Sequence, residues 1–163
     1  MSTRNTQLSL DSVHTDFAPH VTVASIVEKD GRFLLVEEYS SQGKAVINQP
    51  AGHLEASESL IDAAVRETLE ETRWHIEITG VLNINLYRSP QNGVTYHRTT
   101  FIASALHEDP QLALDDGIIQ PLWLTLAEVE QRQEQLRSPL VLQSIQQYLN
   151  EPHYPLAMVG DCR

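Results

Sequence analysis

Glu67, Glu70 and Glu71 stand at i, i+3 and i+4, a spacing that sets three carboxylates side by side on one face of a helix. Like charges that close repel, so the stripe needs either solvent screening or a divalent cation. Mg²⁺ takes oxygen ligands and commonly bridges one or two carboxylates to substrate phosphates. The chemistry on offer is therefore the holding of a divalent cation beside a phosphate-bearing ligand. Taken alone, the three acids read first as a solvated helix face. Arg66 can pair with Glu70 one turn on, or with Glu58, and so hold a carboxylate in place. Ile61, Val65, Thr68 and Thr72 form the adjoining apolar or small-residue stripe, which can pack on a sheet while the acids face a cavity. Upstream, Asn48-Gln49-Pro50-Ala51-Gly52 reads as a shaped turn in which Gly52 lets backbone approach a ligand or metal.

The elements that must position these residues follow from the rest of the chain. His20 to Val27 is rich in β-branched residues, Asp30-Gly31 is a hairpin signal, and Arg32 to Glu38 is the returning strand. Ala45 to Ile47 reads as a short strand. Ser57 is the expected N-cap of the acidic helix, with Glu58 near its positive end, and the helix is expected to end near Thr72. His75 to Tyr87 gives one or two strand segments bent at Gly80. Asn92-Gly93 turns the chain into a partner strand, Val94 to Leu106. An acidic loop, His107 to Gly117, precedes a last strand, Ile118 to Leu124. Thr125 and Glu128 form a capping-box pattern for a helix to about Leu136, and Ser138-Pro139 opens another. Strands around one long helix, with helices at the end, predict an α/β layered domain.

The whole stretch from Gly52 to Trp74, GHLEASESLIDAAVRETLEETRW, resembles the Nudix box. Gly52, Glu58, Arg66, Glu67, Glu70 and Glu71 match its residue types at its separations. Thr68 and Trp74 stand where that pattern usually has aliphatic residues, and Arg73 where it has a glycine that ends the helix in a left-handed turn. The segments PHVTVA, NQPAGHLEA, LRSPLV and YPLAMVGD further resemble the NudJ type of bacterial phosphatase within that family.

The resemblance implies a Nudix fold, a mixed β-sheet sandwiched between α-helices, over residues 19–163, after an N-terminal tail of residues 1–18. It implies a Mg²⁺-dependent hydrolase, with Mn²⁺ a substitute, acting on nucleoside tri- and diphosphates and on hydroxymethylpyrimidine diphosphate, with release of orthophosphate. Glu67, Glu70 and Glu71 would be the metal-binding and catalytic set, with Arg66 beside them and Gly52 contributing backbone at the metal. Glu58, Glu55, Asp115 and Asp116 are candidate supporting acids. Asp115 and Asp116 read first as an ordinary acidic turn, and second as acids that activate water. Arg88, Arg98 and Tyr39 are candidate substrate contacts, as are His53 and His97. Tyr87, Tyr96 and Trp123 are aromatic groups that could stack on a base or simply pack. Related activities, on nucleotide sugars or dinucleoside polyphosphates, and a non-catalytic nucleotide-binding module use the same fold. The module reading sits badly with the full set of acids. A diphosphate isomerase would need a cysteine near the site, and the one cysteine is Cys162.

Composition sets the outer limits. The chain has 163 residues, 41% hydrophobic and 20% charged, enough for one domain with a real core. A formal charge of −11 argues against binding a nucleic-acid polymer, and means that an anionic substrate needs a cation or local basic groups to approach. No apolar run reaches the length of a membrane span and no secretory signal is evident, so the expectation is a cytoplasmic protein, monomer or homodimer, whose partner is a small phosphorylated molecule.

Overall fold

The computed structural model describes residues 17–160, so the expected tail lies outside the described residues except for Phe17 and Ala18, and Asp161 and Cys162 lie outside them too. Strand β1 (His20–Lys29) is buried almost throughout, as its run of apolar and small residues requires of a central strand covered on both faces. Its neighbours change along its length. From His20 to Val27 it pairs parallel with β6 (Thr95–Glu108), and over Thr22, Val23 and Ala24 also antiparallel with β4 (Ala51–His53). Its last residues, Glu28 and Lys29, pair with Phe33 and Arg32 of β2 (Arg32–Tyr39) across a two-residue turn. Asp30 and Gly31 both take positive φ there, which is the backbone twist that a tight hairpin demands.

Around β1 the sheet runs β3-β2-β1-β6-β5-β8, where β3 is Ala45–Asn48, β5 is Trp74–Arg88 and β8 is Tyr154–Pro155. The strand β7 (Ile118–Leu124) adds to β2. The sheet is mixed, with β1 and β6 its parallel pair. Helix α1 (Leu60–Thr72) covers one face, packing on a core that includes Val23, Leu34, Ile78 and Phe101. Helices α2 (Leu126–Gln131) and α3 (Leu140–Asn150) cover the other, over Ile26, Leu35, Leu82 and Ile102. This is the mixed sheet between helices expected from the sequence.

Several boundaries differ from the sequence reading, each for a local reason. Helix α1 is capped by Ser59, not Ser57. The Ser59 hydroxyl accepts from the Asp62 N–H at 3.0 Å and the Asp62 carboxylate accepts from the Ser59 N–H at 3.1 Å. Ser57 sits two residues before, at φ 70°. At the other end Arg73 takes the left-handed conformation itself, φ 65° and ψ 9°, and its N–H closes the helix onto the Leu69 carbonyl at 2.7 Å. Thr68 is accommodated by Ser25 of β1. Its hydroxyl donates to the Ala64 carbonyl at 2.8 Å and lies within hydrogen-bond distance of Ser25 Oγ at 2.9 Å, so a polar side chain is paired inside the helix–sheet contact.

Strand β5 is one 15-residue element whose register against β6 shifts near Gly80 and again before Asn83. Gly80 is where β8 crosses, because a Cβ there would meet the Tyr154 carbonyl oxygen at 3.0 Å. Tyr154 and Pro155 thus extend the sheet as an edge strand, and Leu156, in the 3-10 turn that follows, packs beside α1's core. The helix after Thr125 is shorter than expected, ending at Gln131 before a turn of 3-10 helix over Gln133–Gln135. Trp74 and Trp123 pack edge to face at 5.3 Å, which commits Trp123 to the core side.

Candidate functional site

Helix α1 leans on the sheet through small residues, Ala63, Ala64, Thr68 and Thr72, all buried. Small side chains let the helix approach closely, and its acidic stripe is thereby pressed against β4. Gly52 shows how tightly. A Cβ built there would lie 2.1 Å from the Glu67 carboxyl carbon and 2.1 and 2.2 Å from its two oxygens. Gly52 has no positive φ, so its lack of a side chain serves this approach and not a turn. One turn on, Glu71 accepts a hydrogen bond from the Ala51 N–H at 2.9 Å.

Arg66 binds the set together. Its guanidinium makes a two-pronged bond to Glu58, Nε to Oε2 at 2.9 Å and Nη2 to Oε1 at 2.7 Å. It also reaches Glu67 at 2.8 Å, Glu70 at 3.1 Å and the His53 carbonyl at 3.1 Å. Five contacts from one fork are what arginine geometry permits and a lysine could not supply. Glu58 in turn accepts from the Glu55 N–H at 2.6 Å, which ties the loop before the helix to the acidic face.

The electrostatics divide the acids. The bond from Arg66 holds the Glu58 carboxyl below the usual carboxylate range. Burial raises Glu67, against the pull of Arg66. Burial pushes Glu71 up to about 9, with the charges of Glu38, Glu67 and Asp115 adding to it. Arg66 itself is raised by its carboxylate partners and stays charged. With no cation beside it, burial thus favours the protonated form of Glu71, and a bound divalent ion would favour the ionised form.

Among the described residues no three acidic or histidine side chains stand close enough, as placed, to enclose a cation. The donor chemistry nevertheless fits a hard divalent ion: oxygen ligands only, side by side, with excess charge that such an ion would neutralise. Glu67, Glu70 and Glu71 would hold it. When bound, the ion would polarise phosphoryl oxygens and lower the pKa of water. The chain's own part is to fix the carboxylates, through Arg66, the Ala51 N–H and the space at Gly52, before any ligand arrives.

A cavity of about 220 Å³ opens from β4 beside these acids. Gly52, His53, Tyr87, Tyr96 and Arg98 line it. Arg98 donates to Gln49 Oε1 at 2.8 Å. His20 and His53 meet at 3.3 Å, and burial together with His20 lowers the His53 pKa. Asp115 lies near enough to act on Glu67 and Glu71, and its N–H bonds the Glu70 carbonyl at 3.0 Å. Glu55 and Asp116 are exposed, and Glu55 contributes through its backbone. The structure does not bring Arg88 or Tyr39 to the cavity: both are exposed and absent from its lining. His97 is likewise not among the lining groups.

Two lining residues escaped the sequence reading. Glu38 ends β2 and Arg137 precedes α3, and they form an ion pair at 3.1 Å across the cavity wall. Neither carries a local signal. Only the pairing of β2 with β3, and the bridge of Leu136 to Ile47, bring them together.

The comparisons agree with this geometry. A model of the NUDIX domain matches residues 16–143. The chain is 41% identical over 145 residues to Phosphatase NudJ of Escherichia coli K12, covering 89% of this chain and 93% of that protein. Phosphatase NudJ of Shigella flexneri is similar to the same degree, 41% over 145 residues. Among solved structures, a NUDIX hydrolase from Nitrosomonas europaea superimposes with a TM-score of 0.86 at 40% identity, over 88% of this chain and 97% of that one. A MutT NUDIX hydrolase from Burkholderia pseudomallei, at 21% identity and TM-score 0.68 over 80% and 98%, shares the fold. The chain belongs to the Nudix hydrolase family. Enzymes of this family act on small phosphorylated substrates and typically depend on a divalent metal. No helix among the described residues is long and apolar enough to cross a membrane.

Proposed function

We propose that the protein is a Mg²⁺-dependent phosphatase that cleaves phosphoanhydride bonds of nucleoside tri- and diphosphates and of hydroxymethylpyrimidine diphosphate, releasing orthophosphate in the cytoplasm. The observation that carries this reading is the close approach of the Glu67 carboxylate to Gly52, with Glu71 buried beside it and Arg66 gripping the rest of the acids. Such an arrangement suits a divalent cation held by these carboxylates with a phosphorylated substrate beside it. The similarity to Phosphatase NudJ over 89% of the chain supports the phosphatase over the nucleotide-sugar and dinucleotide activities.

In this reading Glu67, Glu70 and Glu71 hold Mg²⁺, which Mn²⁺ can replace. Arg66 keeps Glu67 and Glu70 in position, and the cavity takes the substrate. The experiment is Mg²⁺-dependent release of orthophosphate and pyrophosphate from a panel of nucleotides, nucleotide sugars, dinucleoside polyphosphates and the pyrimidine diphosphate, with Glu71→Gln as control. Orthophosphate from simple nucleotides or the pyrimidine substrate, lost in E71Q, is the expected result. Cleavage of linked substrates alone would overturn the phosphatase reading, and full activity in E71Q would overturn the role given to Glu71.

A further inference from the structure

The cavity holds more positive charge than the chain's composition predicts. Its charged lining is Glu38, Arg98 and Arg137, one acid and two bases, in a protein with 22 acids and 11 bases. Each arginine is only partly satisfied by protein. Arg98 is held by one hydrogen bond to Gln49, a neutral, fully buried side chain, and its Nε is buried with no partner. Among the described residues it makes no ion pair with a carboxylate. Arg137 spends one nitrogen on Glu38, and its side chain is 44% exposed. Burial is what chiefly disfavours the charge on Arg98; Glu71 opposes that effect, Arg137 is close enough to disfavour the charge further, and Glu38 favours it. Just beyond Arg137 the N-terminal end of α3, an 11-residue helix, has no side-chain cap, and Ser138 and Leu140 of that turn line the same cavity. Two like charges and an open helix end sharing one space are costly unless an anion joins them.

We propose that Arg98 and Arg137 form a two-arginine seat for a second phosphate group of the substrate, distinct from the group handled by the acids of α1. The proposal rests on the hydrolase reading for the identity of the ligand as a substrate. The seat selects compounds carrying at least two linked phosphates. Gln49 and Glu38 are positioning residues that aim the two forks into the cavity.

The test reads binding without turnover. The chelator-treated full chain is titrated calorimetrically with inorganic pyrophosphate and with orthophosphate, as wild type, Arg137→Gln and Arg98→Lys. R137Q keeps an amide for Glu38, and R98K keeps the charge while removing the fork, so both should stay folded, as checked by thermal melting. Pyrophosphate is expected to bind the wild type, with affinity falling roughly tenfold or more in each variant, since each loses a charge-assisted bond. Under turnover, R137Q is expected to raise KM for substrates with two or more phosphates by a similar factor with little change in kcat. A merely structural role would lower kcat and melting temperature together.

Unchanged pyrophosphate affinity in R137Q, or none in a folded wild type, would overturn the seat. Equal loss for orthophosphate and pyrophosphate would assign the site to a lone phosphate and overturn the substrate-spanning role. A wild type that binds pyrophosphate through Arg137 yet hydrolyses nothing with Mg²⁺ would sink the hydrolase reading and leave the seat standing.

Discussion

Adding one methyl group, Gly52→Ala, is expected to disable the enzyme while leaving it folded. The new Cβ would stand 2.1 Å from the Glu67 carboxyl carbon, against ordinary contact at 3.4–4 Å, so the carboxylate must retreat by more than 1 Å. The Glu67 carboxylate is the far end of a flexible side chain and can swing without moving α1. Gly52 has no positive φ, so alanine adds no backbone strain. The cost therefore falls on function. A misplacement of about 1 Å in a catalytic constellation is worth roughly 10²-fold in rate, about 2.7 kcal/mol of transition-state stabilisation. The assay is kcat and KM for phosphate release over a Mg²⁺ series, alongside a melting curve for wild type and G52A. A large fall in kcat with a melting temperature within a few degrees of wild type is expected. Activity within threefold of wild type at every Mg²⁺ concentration would refute the claim that this contact sets the site.

Arg66→Met removes the bonds that offset three acids, and is expected to destabilise the fold by roughly 1–3 kcal/mol in urea unfolding, since Glu58, Glu67 and Glu70 lose their partner. In chelator, native Glu71 retains its proton up to about 9, whereas an unfolded glutamate loses it near 4.3. The native state then binds more protons than the unfolded one, so stability should fall as pH rises from about 4.5 to 9, with the slope reduced in E71Q and relieved by Mg²⁺. An identical slope in E71Q would falsify the assignment. Ser59→Ala breaks the capping box and should cost about 1 kcal/mol with activity nearly intact. Arg73→Gly places the residue best suited to the left-handed cap and should leave activity unchanged while stabilising by up to about 1 kcal/mol.

What could be read from the chain was what repeats at helical or hairpin spacing. The acids of α1, Gly52, the Asp30-Gly31 turn and the Thr125–Glu128 capping box are all local patterns, and local chemistry specifies them. The helix start was misread because Ser57 and Ser59 are both plausible caps, and the choice falls to whichever has an acid three residues on that can bond back; Asp62 settles it for Ser59. Arg88 looked like a phosphate contact, but the register shifts in β5 put Tyr87 on the cavity side and Arg88 on the other. A bulge reverses the alternation from which a strand's faces are read, and no residue type announces it except Gly80. Glu38 and Arg137 are 99 positions apart and meet only through the folded sheet, so their pairing lay beyond any local reading.

The grip of Arg66 also bears on how the protein comes into being. A face of clustered carboxylates would ordinarily make folding hostage to the supply of metal. Here the chain carries its own counter-ion on the same helix, with Glu58, Glu67 and Glu70 already shared out around one guanidinium. On the metal-dependent reading proposed above, a newly made molecule would reach its native shape before any ion is bound, and metal scarcity would limit turnover and not folding.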